Sequence, residues 1–393
     1  MMKLPDLRDP DFVQDPYPVY QAARDAGPVL WWEGMGMYAV FDHATVHALL
    51  RDRRLGRAHP AGRPHPVPAH LQDFEAVEAF SMLDMEPPNH TRLRGLVLRA
   101  FTSRRIAGLR PDISAICEDL IARFPKGAFD LIPAYCQTLP VRVIARLLGV
   151  PEEVGPNLLR WSTAMVAMYQ ASRDRAVEDA ANTAAREFAA FLRDYVERRR
   201  NDPADDLITH LIAAEADGEK LSSEELIGTC VLLLNAGHEA TVHTLGNAVA
   251  CLTAHHAGPE HFTDAAIAAT VEEVLRYDPP LHVFTRFAYA PVSLSGVTLN
   301  PGDQVALVLG AAGRDPALCA NPDVFQPDRP AAAHVAFGGG LHFCVGAPLA
   351  RLELQIGLQK LFAACPGLRV VDPPRFADSY HFHKLDALMV RAD

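Results

Sequence analysis

The chain has 393 residues, of which 49% are apolar and 22% charged, and its net charge is −11. These values are ordinary for a globular protein with a large core, and the acidic balance argues against a dedicated nucleic-acid-binding protein. The length allows two or three domains. The start of the chain has no apolar segment of the secretory type, and no stretch approaches the ~20 apolar residues of a membrane span. We therefore expect a cytoplasmic protein without a membrane span.

The predicted elements are mostly helices. A strand-like segment at 37–41 comes first, followed by a loop at 56–70 that is rich in Pro and His. Apolar residues at three- and four-residue spacing then predict helices at 111–124, 139–149, 157–170, 175–200 and 205–215. Further strand-like segments are 292–299, 304–309 and 388–391. Because strands and helices do not alternate regularly, we predict a mainly α protein with a minor β region rather than a doubly wound parallel sheet.

One helix is predicted to be unusually long. Ser222 and Glu225 form a capping-box pattern, and no Pro interrupts the residues that follow as far as 255. Such a helix would measure ~50 Å at 1.5 Å per residue and could cross a whole domain. Near its centre the small pair Ala236 and Gly237 precedes Glu239, an acid that is costly to bury unless it is paired, solvated or functional. The pattern indicates room for a flat ligand beside an acid; a helix–helix contact with the acid in a crevice is the alternative.

The cysteines indicate one ligand rather than a cluster. There are seven, an odd number, and none belongs to a C-x-x-C pair, which argues against a disulfide framework and against the usual zinc and iron–sulfur sites. Cys344 differs from the others because it lies in the segment FGGGLHFCVGAPLAR at 337–351, after three glycines and before a predicted helix at 349–362. A thiol at a helix N-terminus receives backbone N–H groups that favour the thiolate, and a thiolate in such a loop is a suitable ligand for haem iron. A Cys nucleophile with a distant His is a second interpretation of this segment alone.

Residues 337–351 resemble the haem-binding segment of the cytochrome P-450 family, F-x-x-G-x-H-x-C-x-G-x-x-L-A-x. Further segments resemble that family in its own order: HTRLR at 90–94, AGHEAT at 236–241, EVLR at 273–276 and FQPDR at 325–329. The resemblance implies the cytochrome P-450 fold, with haem b (heme b, iron protoporphyrin IX) between the long central helix and the Cys loop with its helix. It also implies a single haem domain over 1–393, with a small β-containing N-terminal part, a larger helical part and no fused reductase.

The same resemblance implies a role for each matching residue. Cys344 would be the iron ligand, and Glu273, Arg276 and Arg329 would form a buried ion network that supports its loop. Burial of the two propionates requires cationic or hydrogen-bonding partners. The residues expected to contact the haem are His90, Arg94, Arg286, Phe337, Gly338, His342 and Gly346.

The segment AGHEAT at 236–241 resembles the oxygen-activation motif of the family but departs from its usual pattern, in which Thr follows the acid. Glu239 supplies the proton-relay acid, but Ala240 comes next and Thr241 stands one position later, ~100° further around the helix. We expect the Thr241 hydroxyl to point elsewhere and a substrate hydroxyl or an ordered water to take its place. A local bulge of the helix and a less usual reaction are the alternatives.

The resemblance implies a monooxygenase that inserts one oxygen atom from O2 into an organic substrate, most often as a hydroxylation, and we expect the substrate to be medium-sized and apolar or amphipathic. Its electrons would come from an external ferredoxin and ferredoxin reductase, for which the basic run at 92–110 is a candidate docking surface. The loop at 56–70 is expected to act as a lid, and a disordered surface excursion is the alternative. By the family layout, the candidate pocket residues are Phe80, Met82, Leu83, Leu234, His238, Val242, Val283, Phe284 and Phe382. Oxidative coupling, desaturation or rearrangement, and a haem-based gas sensor or carrier without turnover, are the alternatives.

Overall fold

The computed structural model describes residues 2–60, 66–170, 173–216, 219–330, 332–379 and 382–392. Part of the predicted lid, 61–65, therefore lies outside the described residues. The α-helices are α1 (Pro10–Gln14), α2 (Tyr17–Ala26), α3 (His43–Leu49), α4 (Gln72–Glu78), α5 (Asn89–Ala100), α6 (Ser103–Gly108), α7 (Arg110–Ala122), α8 (Thr138–Leu148), α9 (Gly155–Val166), α10 (Arg175–Asn201), α11 (Leu207–Ala213), α12 (Ser223–Ala254), α13 (Ile267–Tyr277), α14 (Leu309–Gly313) and α15 (Ala347–Ala364).

The strands are short. They are β1 (Val29–Trp32), β2 (Met37–Val40), β3 (Leu55–Gly56), β4 (Ala128–Asp130), β5 (Glu215–Ala216), β6 (Glu219–Lys220), β7 (Val283–Ala288), β8 (Val292–Leu294), β9 (Val297–Leu299), β10 (Gln304–Val308), β11 (Arg369–Val370), β12 (Arg375–Phe376), β13 (Leu385–Ala387) and β14 (Met389–Arg391). The mainly α prediction is confirmed, and α7 to α11 occupy the five segments predicted between 111 and 215. The segment at 292–299 forms a hairpin of β8 and β9 rather than one strand.

The largest sheet joins distant parts of the chain. Its order is β1-β2-β10-β7-β3, with β10 parallel to β2 and the other pairs antiparallel. Ala306 of β10 lies opposite Ala39 of β2 on one side and Thr285 of β7 on the other. This sheet is therefore built from segments near the start of the chain together with 283–308.

Helix α12 runs through the main apolar core. As predicted, Ser222 caps it, because its hydroxyl accepts from the Glu225 amide while the Glu225 carboxylate accepts from the Ser222 amide. Its 32 residues correspond to ~48 Å. It packs against α8, α9, α10, α13 and α15, and most of its side chains are buried. None of the helices in the described residues combines the length and apolar composition that crossing a bilayer requires.

Candidate active site

The loop before α15 presents the Cys344 side chain. Gly338 and Gly340 have φ values of 70° and 64°, a left-handed backbone that favours glycine. A Cβ on Gly340 would also lie 2.5 Å from the carbonyl oxygen of Leu50, so the chain passes too close for a side chain there. The amide of Cys344 donates to the carbonyl of Phe337 (3.0 Å), which closes the loop, and Cys344 is exposed at its end. The glycines thus shape a turn that keeps the thiol outside the packed core.

Opposing effects act on the Cys344 thiol. The amides of Gly346 and Ala347, where α15 begins, donate to the sulfur, and Arg94 and Arg351 bring positive charge near it. The surrounding protein displaces water from most directions, although one side of Cys344 is exposed, and this larger effect raises the pKa of the thiol above its ordinary value. The amides at the helix N-terminus do favour the thiolate, as expected, but burial outweighs them in the free protein. Metal coordination itself deprotonates a ligating thiol.

The residues predicted to hold the haem propionates lie together. His90 and Arg94 stand one turn apart on α5, and the ring of His342 lies 4.5 Å from the ring of His90. Arg286 reaches the group from β7. Glu86, which the sequence analysis missed, connects them: its Oε1 accepts from Nε2 of His342 (3.0 Å), and its charge also acts on His90 and Arg286.

Two of these groups have buried polar atoms without a partner. Arg286 is 2% exposed and its Nη2 is unpaired, while His90 is 1% exposed and its Nδ1 is unpaired, among the residues that the structure describes. Loss of hydration lowers the pKa of Arg286 to about 9 and, together with the nearby His342 and Arg94, lowers that of His90 to about 4. Buried donors of this kind require an anionic or accepting partner. Two propionates would supply it, so the residues present fit a haem whose iron is ligated by Cys344.

The other predicted contacts border the same loop. Arg94 donates from Nη2 to the carbonyl oxygen of Phe343 (2.6 Å), which braces the residue before Cys344. The Phe337 ring lies 4.5 Å beneath the guanidinium of Arg351. Gly338 lies close to the ring of Phe284, because a Cβ on Gly338 would be 3.1 Å from Cε2 of Phe284. Phe284, predicted to line the substrate pocket, therefore also contacts the Cys loop.

Glu273, Arg276 and Arg329 are joined in one buried network. Glu273 is 3% exposed and accepts from Nε and Nη2 of Arg276 (2.7 and 2.8 Å) and from Nε of Arg329 (3.2 Å). The backbone amide of Gln326 donates to it as well (2.8 Å). The two guanidinium groups also donate to carbonyl oxygens between 313 and 324. The network thus fastens α13 to the segment that leads into the Cys loop.

The residue before it, Glu272, is a second attachment that the sequence analysis missed. Its carboxylate accepts from Nε and Nη2 of Arg351 (2.6 and 2.9 Å) and lies 3.1 Å from Nε2 of His334. Burial would raise its pKa, but these two partners outweigh it and lower the pKa to about 2. His334 and Arg351 stand on either side of Cys344, so Glu272 ties both ends of the Cys loop to α13. The pattern of two consecutive acids was the available signal.

The three pocket candidates on α12 do not lie on the accessible face of that helix. Near the middle of this buried helix, Leu232, Ala236 and Ala240 form an accessible stripe beside Gly237; Ala236 is exposed and the other three are half-buried. Leu234, His238 and Val242 are between 0% and 3% exposed and are packed against neighbouring helices instead. The two stripes differ by two residues, or ~200° of rotation, and so lie on opposite faces.

The remaining pocket candidates are distributed between the core and more accessible positions. Phe80 is half-buried and packs over Gly228, where a Cβ would lie 2.9 Å from the Cβ of Phe80. Leu83 is also half-buried, whereas Met82, Val283 and Phe382 are at most 9% exposed. These positions remain a prediction of the pocket's walls.

Glu239 and the two threonines of α12 have distinct partners. Glu239 lies 3.1 Å from Nε2 of His243 and 3.4 Å from the hydroxyl of Thr163. Thr241 donates to the carbonyl of Gly237 (3.1 Å), as expected of a hydroxyl that points elsewhere. Thr244 donates to the carbonyl of Ala240 (2.7 Å). Because α12 is α-helical throughout, the alternative of a local bulge is not observed.

A second polar cluster occupies the interior beside α2. Oδ1 of Asp278 accepts from the hydroxyl of Tyr17 (2.6 Å) and from Nδ1 of His383 (2.9 Å), while the Tyr20 hydroxyl lies 3.1 Å from Nδ1 of His282. Asp278, His282 and His383 could offer metal-ligand atoms. The imidazole rings of His282 and His383, however, are stacked, with 4.4 Å between their centroids and 27° between their planes, so the in-plane lone pairs of the two rings do not converge on one point. The arrangement is a hydrogen-bonded network that joins α2, α13 and the C-terminal turn.

Comparison with known proteins finds relatives that cover most of the chain. A cytochrome P450 family model matches residues 266–366. The chain is 38% identical to the cytochrome P450 monooxygenase PikC of Streptomyces venezuelae, covering 91% of this chain and 86% of that one. It is 34% identical to the 6-deoxyerythronolide B hydroxylase of Saccharopolyspora erythraea over the full length of both. P450BioI, solved with an acyl carrier protein ligated to hexadec-9Z-enoic acid, superposes with a TM-score of 0.90 at 33% identity, covering 97% of this chain and 99% of that one.

The chain therefore belongs to the cytochrome P450 family. It is a haem-dependent monooxygenase, an oxidoreductase that incorporates oxygen. Like its relatives, it requires redox partners and acts on a small-molecule substrate.

Proposed function

We propose that this monooxygenase uses Cys344 as its haem ligand and inserts one oxygen atom of O2 into a medium-sized apolar or amphipathic substrate, most often as a hydroxylation. The observation that carries the proposal is the pair of unpaired buried donors, on His90 and Arg286, beside a glycine-shaped loop that exposes a cysteine. When bound, the haem supplies the oxygen-activating redox chemistry.

Side chains of α12 form the surroundings in which we expect the substrate to bind. The side chains of Leu232, Ala236 and Ala240 line the accessible face of α12 and are apolar, which suits a substrate with an apolar body. Glu239 lies on an adjacent face, where it can hold or release a proton at its carboxylate. Neither Thr241 nor Thr244 has a free hydroxyl, since each donates to a backbone carbonyl of α12. A hydroxyl on the substrate, or an ordered water, takes over the part of the missing threonine.

The iron ligand is tested by the reduced CO spectrum. The wild-type protein is expected to give the absorption band of a thiolate-ligated haem, and Cys344→Ala is expected to lose it. Cys319→Ala provides a matched control because Cys319 is a free, partly exposed cysteine in another loop. Loss of the band in the control as well, or its persistence in Cys344→Ala, would contradict the assignment.

The substrate class is tested by titrating the ferric protein with a compound library. Amphipathic ligands carrying one hydroxyl should shift the haem absorption band, and the compounds that shift it should then yield oxygenated product in coupled turnover. If none of the compounds that shift the band is oxidised, the proposed substrate class is wrong.

For the electron donors, we propose a ferredoxin and its reductase. Within the basic run at 92–110, Arg92 is paired with Glu225, Arg94 with the loop, and Arg105 with Asp205. The exposed cations are Arg99, Arg104 and Arg110, near exposed Leu98.

Next to them, a groove of about 200 Å³ separates α6 from α15, the helix that follows Cys344. An acidic carrier would be steered to this face by charge. Arg104→Glu should slow reduction by ferredoxin severalfold at low salt, with the difference shrinking as salt rises. Arg175→Glu, an exposed control at the start of the 27-residue α10 and ~40 Å from its other end near Arg105, should not; equal rates for wild type and Arg104→Glu would exclude this docking face.

A further inference from the structure

Glu239 is held by side chains of this chain that no family motif predicts. Its Oε2 lies 3.1 Å from Nε2 of His243, one helical turn further along α12. Its Oε1 lies 3.4 Å from the Thr163 hydroxyl and 4.0 Å from Nδ1 of His238. Glu239 and His243 are 8% and 7% exposed, so the pair is largely screened from bulk water.

The His243 ring has a fixed environment. Phe382, from the C-terminal turn, packs edge-on against it with 5.2 Å between centroids. Burial lowers the pKa of His243, so the imidazole is neutral at pH 7 and Nε2 carries the proton that it donates to the carboxylate. The charged and titratable groups facing Glu239 are His238 and His243 from α12 itself and Lys384 from the C-terminal turn; α9 contributes only the Thr163 hydroxyl.

We propose that His243 is a positioning residue for Glu239, whose carboxylate it holds through the Nε2 hydrogen bond, and that it thereby controls how this acid exchanges protons with the substrate space. The proposal rests on the role of Glu239 in the proposed function. In this chain, where Ala240 replaces the usual threonine, His243 would supply part of the control over proton exchange that the threonine hydroxyl otherwise provides.

Electrostatics supports the geometry. Burial alone would raise the pKa of Glu239, but the hydrogen bond from His243 is the largest opposing effect, and together with His238 and Lys384 it lowers the pKa to about 2. Without His243, a buried carboxylate would face only a weakly placed hydroxyl and more distant charges. It would then take up a proton at a much higher pH.

A set of variants separates the hydrogen bond from the bulk of the ring. His243→Leu removes the donor and keeps an apolar side chain, whereas His243→Gln can place an amide N–H near the former Nε2. His255→Gln is the matched control because His255 caps the same helix 12 residues later, or ~18 Å away. All are compared as holoenzymes that bind haem normally.

The first readout does not depend on turnover. Infrared spectra are taken from pH 5 to 8 and inspected for the C=O band of a protonated Glu239. A band is assigned to Glu239 when adding Glu239→Gln to the same protein abolishes it. We expect no such band in the wild type, the control or His243→Gln, and a band that grows on acidification in His243→Leu. Absence of the band in His243→Leu overturns the proposal, as does its presence in His243→Gln at the same strength.

The second readout is product formed per NAD(P)H consumed, measured against pH with a substrate from the library. We expect this ratio to fall by about tenfold in His243→Leu, with a new inflection at the pH where the infrared band appears, and to recover in His243→Gln. An infrared effect without any change in the ratio overturns the link between His243 and proton exchange. Failure of the proposed function is distinguishable, because it removes the wild-type product while leaving the infrared result intact.

Discussion

Replacing Glu273 by Gln tests how much the network beneath the Cys loop stabilises the fold. The carboxylate accepts four hydrogen bonds between 2.7 and 3.2 Å from Arg276, Arg329 and the Gln326 amide. Its side chain is 2% exposed, and those of Arg276 and Arg329 are 1% and 7% exposed. Gln would leave two buried cations without a counter-charge and turn an N–H group toward other donors. Removing one partner of a buried ion pair typically costs about 3–5 kcal/mol, a large part of a total stability of about 5–15 kcal/mol.

The chain contains its own control. Glu197 and Arg200 have the same i,i+3 spacing and a similar distance of 3.1 Å, but their side chains are 67% and 38% exposed. A surface pair contributes about 0–1 kcal/mol, so Glu197→Gln should leave stability nearly unchanged. Urea unfolding of the holoproteins, followed by circular dichroism and by the thiolate band of the reduced CO complex, gives both midpoints. If Glu273→Gln shifts the midpoint no more than Glu197→Gln does, the reasoning from burial is refuted.

Three further predictions concern the pocket and the response to pH. Ala240→Thr should increase product per NAD(P)H on substrates without a suitable hydroxyl, and an unchanged ratio across several substrates would count against hydroxyl replacement. Burial lowers the pKa of His282 to about 4, so the unfolded chain binds an extra proton below pH ~6.5 and stability falls with acidification; His282→Gln should flatten the decline of Tm between pH 6.5 and 4.5. Burial raises the pKa of Glu78 to about 7. The pH dependence of stability due to Glu78 is therefore opposite to that due to His282, because the folded protein binds the extra proton and stability falls as pH rises from ~4.5 towards 7. Glu78→Gln should therefore raise Tm more at pH 8 than at pH 5, and equal shifts at both would contradict the burial effect.

Local patterns in the sequence predicted what depends on neighbours along the chain. The cap at Ser222, the length of α12 and the glycine turn before Cys344 all follow from the properties of a few adjacent residues. The E-x-x-R spacing shows the limit of that approach, because 197–200 and 273–276 have the same pattern and only tertiary packing separates a surface pair from a buried network. Glu86 and Glu272 were missed for the same reason: their partners are far away in the sequence.

The accessible face of α12 could not be predicted from periodicity. A helix that is apolar on all sides carries no phase information, so periodicity could not choose between the stripe through Leu234 and the stripe through Ala236. The family layout favoured the first stripe, and the small pair at 236–237 favoured the second. The structure distinguishes them by packing, since Leu234 is 0% exposed and Ala236 lies open. Strand β7 was missed in a similar way: its residues were interpreted as pocket walls, although the pairing of β7 with β10 and β3 is set by distant segments.

The glycines of α12 explain why the opening lies at its centre. A Cβ on Gly228 would lie 2.9 Å from Phe80, and one on Gly246 would lie 2.8 Å from Ile132, so both permit close packing of neighbouring segments. At Gly237 the nearest atom would be 3.7 Å away, an ordinary contact, and the adjacent Ala236 is exposed. The helix is therefore tightly packed towards both ends and open beside Glu239. Under the proposed function, an apolar substrate body would lie against this opening, while the polar groups that hold the acid are on a different face.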